Sequence, residues 1–218
     1  NLWGPDHHGY IQRLKASVTA LGYPADRLEI RIVQLVTLSR QGKPVPMSKR
    51  QGEFVTFREV LDEVGVDATR FFYLMRTMDS HLDFDLELAK TQSQENPVYY
   101  VQYAHARICS ILTKVRLPWW KRLFPDLRRL EAPEELLLMR TLSQYPIVLQ
   151  LCAAALEPQG LTVYLRKLAE TFHVFYTKHR VIVEDDALSA ARMVLVTATR
   201  HVLANGLGIL GISAPTRM

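Results

Sequence analysis

Apolar positions along the chain change their spacing near residue 55. Before that point, residues 8–21 carry apolar side chains at helical spacing and are followed by Gly22, which predicts a helix and its end. Residues 28–38 are mostly apolar and rich in β-branched side chains, which favours one buried parallel strand. A turn is expected at residues 41–44. The first 55 residues therefore predict an α/β arrangement.

Helical patterns begin at residue 56. Thr56 and Glu59 have the spacing of a capping box, in which each side chain bonds the other residue's backbone N–H, and Gly65 is expected to end that helix. Asp67 is expected to cap the next helix. These signals predict short helices that follow the α/β part.

Longer helices follow from residue 96. Asn96 and Pro97 predict a helix start, because Asn caps well and Pro needs no N–H partner in the first turn. An apolar stripe then runs toward Pro118. Pro133 is expected to open another helix, which Pro146 divides in two.

The last two helices also have recognisable ends. One is expected to end near Val183, and either Asp185 or Asp186 is expected to cap the other. Asn205-Gly206 predicts a left-handed stop. The fold class is therefore mainly α, with the remnant of an α/β nucleotide-binding (Rossmann-like) domain followed by an α-helical bundle.

Composition limits the cellular locations and the partners that are expected for the chain. Hydrophobic residues make up 48% of it, yet no apolar run approaches the roughly 20 residues that cross a bilayer, so no membrane is expected. No secretory leader is visible. Cys109 and Cys152 are too far apart for a disulfide framework, which favours a cytoplasmic location, and the spacings of His173, His179 and His201 predict no metal site. The net charge of +5 weakly favours an anionic partner.

The clearest chemistry lies in residues 46–52, between the predicted strand and the capped helix. Ser48 offers a hydroxyl and Lys49 and Arg50 offer cations, on a loop in which Gly52 adds conformational freedom. Such a loop can fold over a polyphosphate, with Lys49 stabilising negative charge that develops during reaction. Basic surface turns are common, so these residues alone leave a solvated turn as the alternative.

Several runs of residues resemble one family, in the same order along the chain. Met47-Ser48-Lys49-Arg50 is similar to the KMSKS signature of class I aminoacyl-tRNA synthetases. Residues 95–107, Glu-Asn-Pro-Val-Tyr-Tyr-Val-Gln-Tyr-Ala-His-Ala-Arg, resemble the arginyl-tRNA synthetases within that class. Further runs that resemble this family are residues 3–10, 52–57, 63–72, 79–86, 205–212 and 215–218. The resemblance spans almost the whole chain and is weakest at residues 116–160.

The resemblance implies a division into three parts. Residues 1–55 would end a catalytic nucleotide-binding domain, residues 56–95 would be a connecting helical segment, and residues 96–218 would be an α-helical anticodon-binding domain. In this family ATP, a substrate used with Mg²⁺, activates L-arginine, which then passes to tRNA(Arg). A cytoplasmic monomer is expected.

Site residues are implied by the same resemblance. Ser48 and Lys49 would be catalytic, and Asp6 is a candidate to contact the arginine substrate. The residues expected to bind ATP are Gly4, Asp6, His7, His8, Met47, Ser48 and Lys49.

Two departures from the family pattern bear on activity. Pro46 replaces the first signature lysine, which removes a positive charge and predicts weaker ATP binding or slower activation. The sequence contains no His-x-Gly-His tetrad, the other half of the family's ATP site. Because the two halves act together, the 218 residues alone are expected to be inactive.

Candidate tRNA-binding residues lie in the predicted bundle and at the end of the chain. They are Gln102, Arg107, Tyr176, Arg200, Arg217 and Met218. Aromatic residues near them, Tyr99, Tyr100, Tyr103 and Phe172, are more often part of a core. A further candidate is the basic and aromatic stretch 114–129, whose alternative is a short helix that packs its tryptophans on the bundle.

Two other interpretations stay open. The chain could be a non-catalytic tRNA-binding paralogue or cleavage product, which the missing tetrad and Pro46 favour. It could also be part of another class I synthetase, such as the cysteinyl enzyme, although the run at residues 95–107 argues against that assignment.

Overall fold

The computed structural model describes residues 1–45, 55–114 and 125–218 of the chain. Within them the α-helices are α1 Ile11–Ala20, α2 Phe57–Val64, α3 Val66–Leu74, α4 Leu86–Lys90, α5 Pro97–Thr113, α6 Pro133–Ser143, α7 Tyr145–Ala155, α8 Gln159–Lys178 and α9 Asp186–Ile209. The strands are β1 Leu2–Trp3, β2 Arg31–Ile32, β3 Val36–Arg40, β4 Lys43–Pro44 and β5 Leu82–Asp85. The prediction of a mainly α fold is confirmed, whereas the Rossmann-like remnant stays a prediction.

The strands form two small sheets. β1 pairs with β2 in parallel, and β3 pairs in parallel with β5 and antiparallel with β4. The prediction of one buried strand over residues 28–38 is wrong, because β2 and β3 lie in different sheets and have different partners. Of this run, Leu38 is buried and the other residues are exposed or half-buried. The turn before β4 is confirmed, with Gln41 and Gly42 at positive φ.

A small apolar core joins the second sheet to α2, α3 and α4. Leu38 of β3 packs with Phe72 of α3 and Phe84 of β5, and the last two rings lie 5.3 Å apart. Burial of each such side chain contributes about 1.5–3 kcal/mol. This core draws residues from both sides of position 55, and the division at residues 1–55, 56–95 and 96–218 stays a prediction.

Three helix starts have the side-chain caps expected from the sequence. The Thr56 backbone N–H donates to Glu59 Oε2 at 2.6 Å, and the Glu59 backbone N–H donates to Thr56 Oγ1 at 3.2 Å. Asn96 accepts from two backbone N–H groups of the first turn of α5, and Asp185 does the same for α9. The capping box and both caps are therefore confirmed.

Asp67 has a different role from the predicted one. α3 begins at Val66, so its cap residue is Gly65, which has a φ of 89° and also ends α2 as predicted. Asp67 lies inside the first turn of α3, and its carboxylate binds Gln102 and Ser213 instead of the helix start. The prediction that Asp67 caps α3 is wrong.

The predicted stop at Asn205-Gly206 is also wrong. α9 continues to Ile209, and Gly206 is buried inside it. A Cβ on Gly206 would lie 2.6 Å from Cδ2 of Leu165, so the absent side chain allows α9 to approach α8 closely. The left-handed residue is Gly211, with a φ of 68°. α8 ends at Lys178, five residues before the predicted Val183.

The main core lies among α5, α6, α8 and α9. Val101, Leu138, Leu168 and Phe172 are fully buried there, one from each of α5 and α6 and two from α8. A buried ion pair adds a polar contact: Arg192 of α9 donates from Nε to Glu135 Oε1 of α6 at 2.6 Å. Arg192 Nη1 also donates to the backbone oxygen of Arg180 at 2.7 Å, which holds the connection between α8 and α9.

One long apolar stretch covers two consecutive helices of the bundle. Among the described residues, Pro133–Ala155 is long and apolar enough to cross a bilayer by length and composition, with a mean hydropathy of 1.2. It comprises α6 and α7, and Leu138 and Thr141 of α6 are buried against the bundle. The α7 half contributes an exposed apolar face that includes Ile147 and Leu151.

Candidate nucleic-acid interface

A cleft of about 1280 Å³ opens between α5, the end of α8 and the last residues of the chain. Five of the six residues that the sequence analysis proposed for tRNA binding line this cleft. They are Arg107, Tyr176, Arg200, Arg217 and Met218. These residues come from three helices and the chain end, so the fold gathers into one place candidates that are far apart in the sequence.

The cleft has a strongly positive lining. Its described walls hold five cations and neither an aspartate nor a glutamate. The cations are Arg107, Lys114, Arg180, Arg200 and Arg217. A concave surface with one sign of charge concentrates ligands of the opposite sign, so this cleft suits a polyanion.

Helical spacing accounts for the wall that α5 contributes. Tyr103, Arg107, Ser110 and Lys114 follow one another at intervals of three or four residues, which places them on one face of the helix. Arg107 is a candidate from the sequence and Lys114 belongs to its basic stretch, whereas Arg180 belongs to neither group. The spacing of residues 103, 107, 110 and 114 is the sequence signal that would have grouped these α5 residues on one face.

Arg107 contacts two aromatic rings in the cleft. Its guanidinium carbon lies 5.2 Å from the centre of the Tyr103 ring and 4.9 Å from that of Tyr176. Tyr176 also stacks on Phe172, with ring centres 5.9 Å apart. The prediction that Phe172 belongs to the core is confirmed, and a stacked guanidinium is a good anchor for phosphate because its N–H edge remains available.

His173 supports this arrangement from the side of the bundle. Its ring centre lies 4.9 Å from that of Tyr100 and 5.9 Å from that of Tyr103. Burial, together with the nearby positive charge of Arg107, lowers the pKa of His173 below its ordinary value. The neutral ring is therefore favoured, and it adds no like charge beside Arg107.

An ion cluster borders the cleft where α8 ends. Glu134 of α6 binds Lys178 Nζ at 2.6 Å and His179 Nε2 at 2.9 Å. These hydrogen bonds lower the pKa of Glu134 to about 2. His179 lines the cleft, and its partner Glu134 fixes its ring position.

Gln102, the sixth candidate, lies outside the lining of the cleft. It is 8% exposed, and its Nε2 donates to Asp67 Oδ2 at 2.8 Å and to the backbone oxygen of Ser213 at 3.0 Å. Its amide nitrogen is thus engaged by the protein itself. Sequence alone could not reveal these contacts, because Asp67 and Ser213 are 35 and 111 residues away.

The candidates for ATP binding lie partly outside the described residues. Met47, Ser48 and Lys49 fall outside them, as do Pro46 and the tryptophans Trp119 and Trp120. Gly4 follows β1, and Asp6, His7 and His8 lie in the 3₁₀ turn Pro5–Tyr10 that comes next; all four are exposed. Ligands of parallel sheets bind beyond the carboxyl ends of strands, which is the position of this turn.

Comparisons with known proteins identify a family for the part of the chain that holds the cleft. Residues 101–218 match the DALR anticodon binding domain, a region that includes α5 from Val101 onward and every wall of the cleft. An arginine–tRNA ligase from Halorhodospira halophila is 52% identical over 222 residues, a match that covers 100% of this chain and 38% of the relative. The chain thus spans about two fifths of the length of the curated relatives it matches.

Solved structures give the same result. The arginyl-tRNA synthetase structure from Campylobacter jejuni matches 100% of this chain and 47% of its own, with a TM-score of 0.88 and 33% identity. That from Thermus thermophilus has a TM-score of 0.83 and 25% identity, and covers 100% of this chain and 40% of its own. The chain is similar to arginyl-tRNA synthetases along its whole length, and it belongs to the DALR anticodon binding domain family.

Proposed function

We propose that this chain is the C-terminal part of an arginine–tRNA ligase and that its cleft binds tRNA(Arg) near the anticodon. The observation that carries the proposal is the cleft itself, lined by five cations and by Tyr103 and Tyr176, within the residues that match the anticodon binding domain. Cations suit phosphates, and flat rings suit unstacked bases, which is the combination that single-stranded RNA requires.

Phosphate contacts would supply much of the affinity. Each phosphate that a lysine or arginine neutralises releases counterions, so binding weakens as salt rises. Arg107, Arg180 and Arg217 reach the cleft from α5, the α8–α9 connection and the chain end, and could contact phosphates on different sides of a loop. Tyr176 would provide a stacking surface next to Arg107.

The catalytic contribution of the chain would come from its first part. Lys49 would stabilise charge on ATP during activation of L-arginine, with Ser48 as a hydrogen-bond partner and Mg²⁺ accompanying the nucleotide. Gly4, Asp6, His7 and His8 would border the nucleotide and amino-acid pockets. In this proposal the longer enzyme is a cytoplasmic monomer.

A direct binding experiment tests the proposal. The chain is titrated with fluorescent tRNA(Arg) transcripts, one intact and one with a changed anticodon, at two salt concentrations. We expect the intact transcript to bind at least tenfold more tightly, and its affinity to fall with salt. Equal affinity for both transcripts would contradict anticodon binding.

Matched variants test whether tRNA(Arg) binds in the cleft. Arg107→Ala removes a cation from the cleft, whereas Arg58→Ala removes an exposed cation from α2. We expect the first to weaken binding about tenfold or more, since a charge-assisted hydrogen bond contributes about 1.5–3 kcal/mol, and the second to leave affinity nearly unchanged. Equal losses would indicate binding through overall charge.

Aminoacylation separates the enzyme from a non-catalytic tRNA-binding protein. The chain alone is expected to bind tRNA(Arg) without charging it. A longer polypeptide that contains a His-x-Gly-His tetrad is expected to charge tRNA(Arg) with arginine. Failure with arginine, when another amino acid is accepted, would contradict the proposed substrate.

A further inference from the structure

The chain end reaches the cleft without regular secondary structure. α9 ends at Ile209, yet Thr216, Arg217 and Met218 line the cleft. Gly211 turns the chain in the left-handed conformation, and Ile212 is buried while its backbone N–H donates to the oxygen of Leu207 at 2.9 Å. Beyond Ile212, side chains of other helices must fix the path of the tail, here defined as residues 213–218.

Asp67 and Gln102 provide these contacts at Ser213. The Ser213 backbone N–H donates to Asp67 Oδ1 at 3.2 Å, and its hydroxyl donates to Asp67 Oδ2. The Ser213 backbone oxygen accepts from Gln102 Nε2 at 3.0 Å. The backbone N–H and C=O of Ser213 thus bond to side chains, in place of the backbone partners that a helix or strand would supply.

The two anchoring side chains also fix each other. Gln102 Nε2 donates to Asp67 Oδ2 at 2.8 Å, which joins α3 to α5 at the point where the tail crosses them. Gln102 is almost fully buried, and Asp67 lies in the first turn of α3, where the helix dipole favours a carboxylate. Asp67 and Gln102 therefore stabilise each other as well as Ser213.

A second anchor lies one turn further along α5. His105 Nδ1 donates to the backbone oxygen of Pro215 at 2.9 Å, and His105 is buried. Gln102 and His105 are three residues apart on the same helix, so they hold the tail parallel to α5. The tail is thereby directed toward Cys109, which lies one turn beyond His105 on the same face and lines the cleft.

We propose that Asp67 and Gln102 are positioning residues that hold the tail so that Arg217 and Met218 enter the cleft. The part of this inference that concerns RNA rests on the proposed function, whereas the part that concerns the tail does not. Asp67 contributes a negative charge and is not a lining residue of the cleft, so its effect on RNA binding would pass through the tail.

Trimming of the tail tests the inference without RNA. Carboxypeptidase Y is added to the native chain, and loss of Met218 and Arg217 is followed by intact mass. We expect Asp67→Asn and Gln102→Ala to be trimmed roughly tenfold faster than the parent. Each variant loses a hydrogen bond, and this loss should raise the equilibrium constant for detachment of the tail about tenfold. Asp62→Asn, which changes an exposed carboxylate on α2, is the control and should match the parent.

Equal trimming rates for the parent, Asp67→Asn and Gln102→Ala would overturn the inference. Far-UV circular dichroism and a thermal melt show whether each variant is folded. If Asp67→Asn and Gln102→Ala unfold, Ser213→Ala tests the inference instead, since it removes a hydroxyl from an exposed residue of the tail itself. Ser213→Ala should be trimmed several-fold faster than the parent. A rate equal to that of the parent would overturn the inference.

The sign of the effect on RNA affinity provides a second test. Asp67→Asn removes a negative charge, so simple electrostatics predicts tighter binding of tRNA(Arg). Positioning predicts the opposite, a weakening of about five- to tenfold. Tighter binding would overturn the role of Asp67 in RNA binding.

A combined variant separates positioning from a general loss of structure. In a background that carries Arg217→Ala and Met218→Ala, Asp67→Asn should have little further effect on affinity, whereas Arg107→Ala should still weaken binding. A full additional loss from Asp67→Asn in that background would overturn the inference. If the parent chain does not bind tRNA(Arg), the proposed function fails, while the trimming rates still decide whether Asp67 and Gln102 hold the tail.

Discussion

The guanidinium carbon of Arg107 lies 4.9 Å from the centre of the Tyr176 ring, which joins α5 to α8 at the wall of the cleft. A cation over an aromatic face is attracted by about 0.5–2 kcal/mol, depending on solvation. The contact also restricts the arginine side chain, so that it loses less conformational freedom when it binds an anion. In the proposed function, Tyr176 would therefore both offer its ring to a base and orient a cation.

Substitution of Tyr176 tests these two contributions. Tyr176→Leu removes the aromatic face and should weaken binding of tRNA(Arg) by about 5- to 30-fold, which corresponds to roughly 1–2 kcal/mol. Tyr176→Phe keeps the ring and should bind within about threefold of the parent. Fluorescence anisotropy titration measures both, and equal losses for Leu and Phe would show that the hydroxyl, not the ring, is the important group.

The salt dependence of tRNA(Arg) binding tests whether the cations that line the cleft contact phosphates. We expect Lys114→Ala and Arg217→Ala each to reduce the slope of log K against log salt by about 0.7–0.9, the value for one lost phosphate contact. Arg58→Ala should leave the slope unchanged. A slope that stays at the parental value in the first two variants would show that these cations do not contact phosphates.

Protonation of His173 predicts a dependence of stability on pH. The folded state holds the pKa of His173 below the ordinary value of 6.5, so the unfolded chain binds the proton more readily. The contribution of this residue to stability is therefore present above pH 6.5 and is lost as pH falls toward the lower pKa of the folded state. Urea midpoints at pH 7.5 and 5.5 measure the loss.

Two substitutions isolate the histidine. His173→Phe can pack among the same rings without titrating, so its urea midpoint should change less between the two pH values than that of the parent. His81→Gln, at an exposed histidine, should behave as the parent does. An identical pH response in His173→Phe and the parent would assign the dependence to other groups.

Close packing of α8 and α9 predicts opposite effects at two glycines of one helix. Gly206→Ala would place a Cβ 2.6 Å from the buried side chain of Leu165, and should destabilise the fold by about 1–3 kcal/mol. Gly208→Ala meets nothing within 4 Å and should stabilise α9 by about 0.4–1 kcal/mol. Chemical denaturation of both variants checks the difference, and equal midpoints would contradict the packing argument.

Local signals predicted the helix starts well. The caps at Thr56, Asn96 and Asp185 depend on residues two or three positions away, so the sequence contains all the information they need. The ends of α8 and α9 were less predictable, because they depend on neighbours from elsewhere in the chain. Gly206 illustrates this: its function is set by Leu165, which no local pattern connects to it.

Non-local pairing explains the errors in the α/β part. The apolar run at residues 28–38 suggests one strand, but β2 pairs with residues 2–3 and β3 pairs with residues 82–85. Two different partners require a break in the run. Short strands of this kind are decided by the sheet that they join more than by their own composition.

The candidate site could be predicted in part. Arg200, Arg217 and Met218 were predicted from the resemblance to a family, and Arg107 and Tyr176 from the chemistry and spacing of their side chains; the fold places all five together. Gln102 was chosen for its side-chain chemistry, but burial and its partner Asp67 give it another environment. An exposed and a buried polar residue look alike in a single sequence, and only the packing of α3 on α5 separates them.

The pairing of β1 with β2 has a consequence for work with the isolated chain. In the described part of the chain these two strands form a sheet by themselves, whereas parallel strands in larger proteins are covered by neighbours on each side. Their outer edges thus offer backbone donors and acceptors to any strand that approaches. We expect self-association to start there as concentration rises, and an upstream segment that supplies further strands to suppress it.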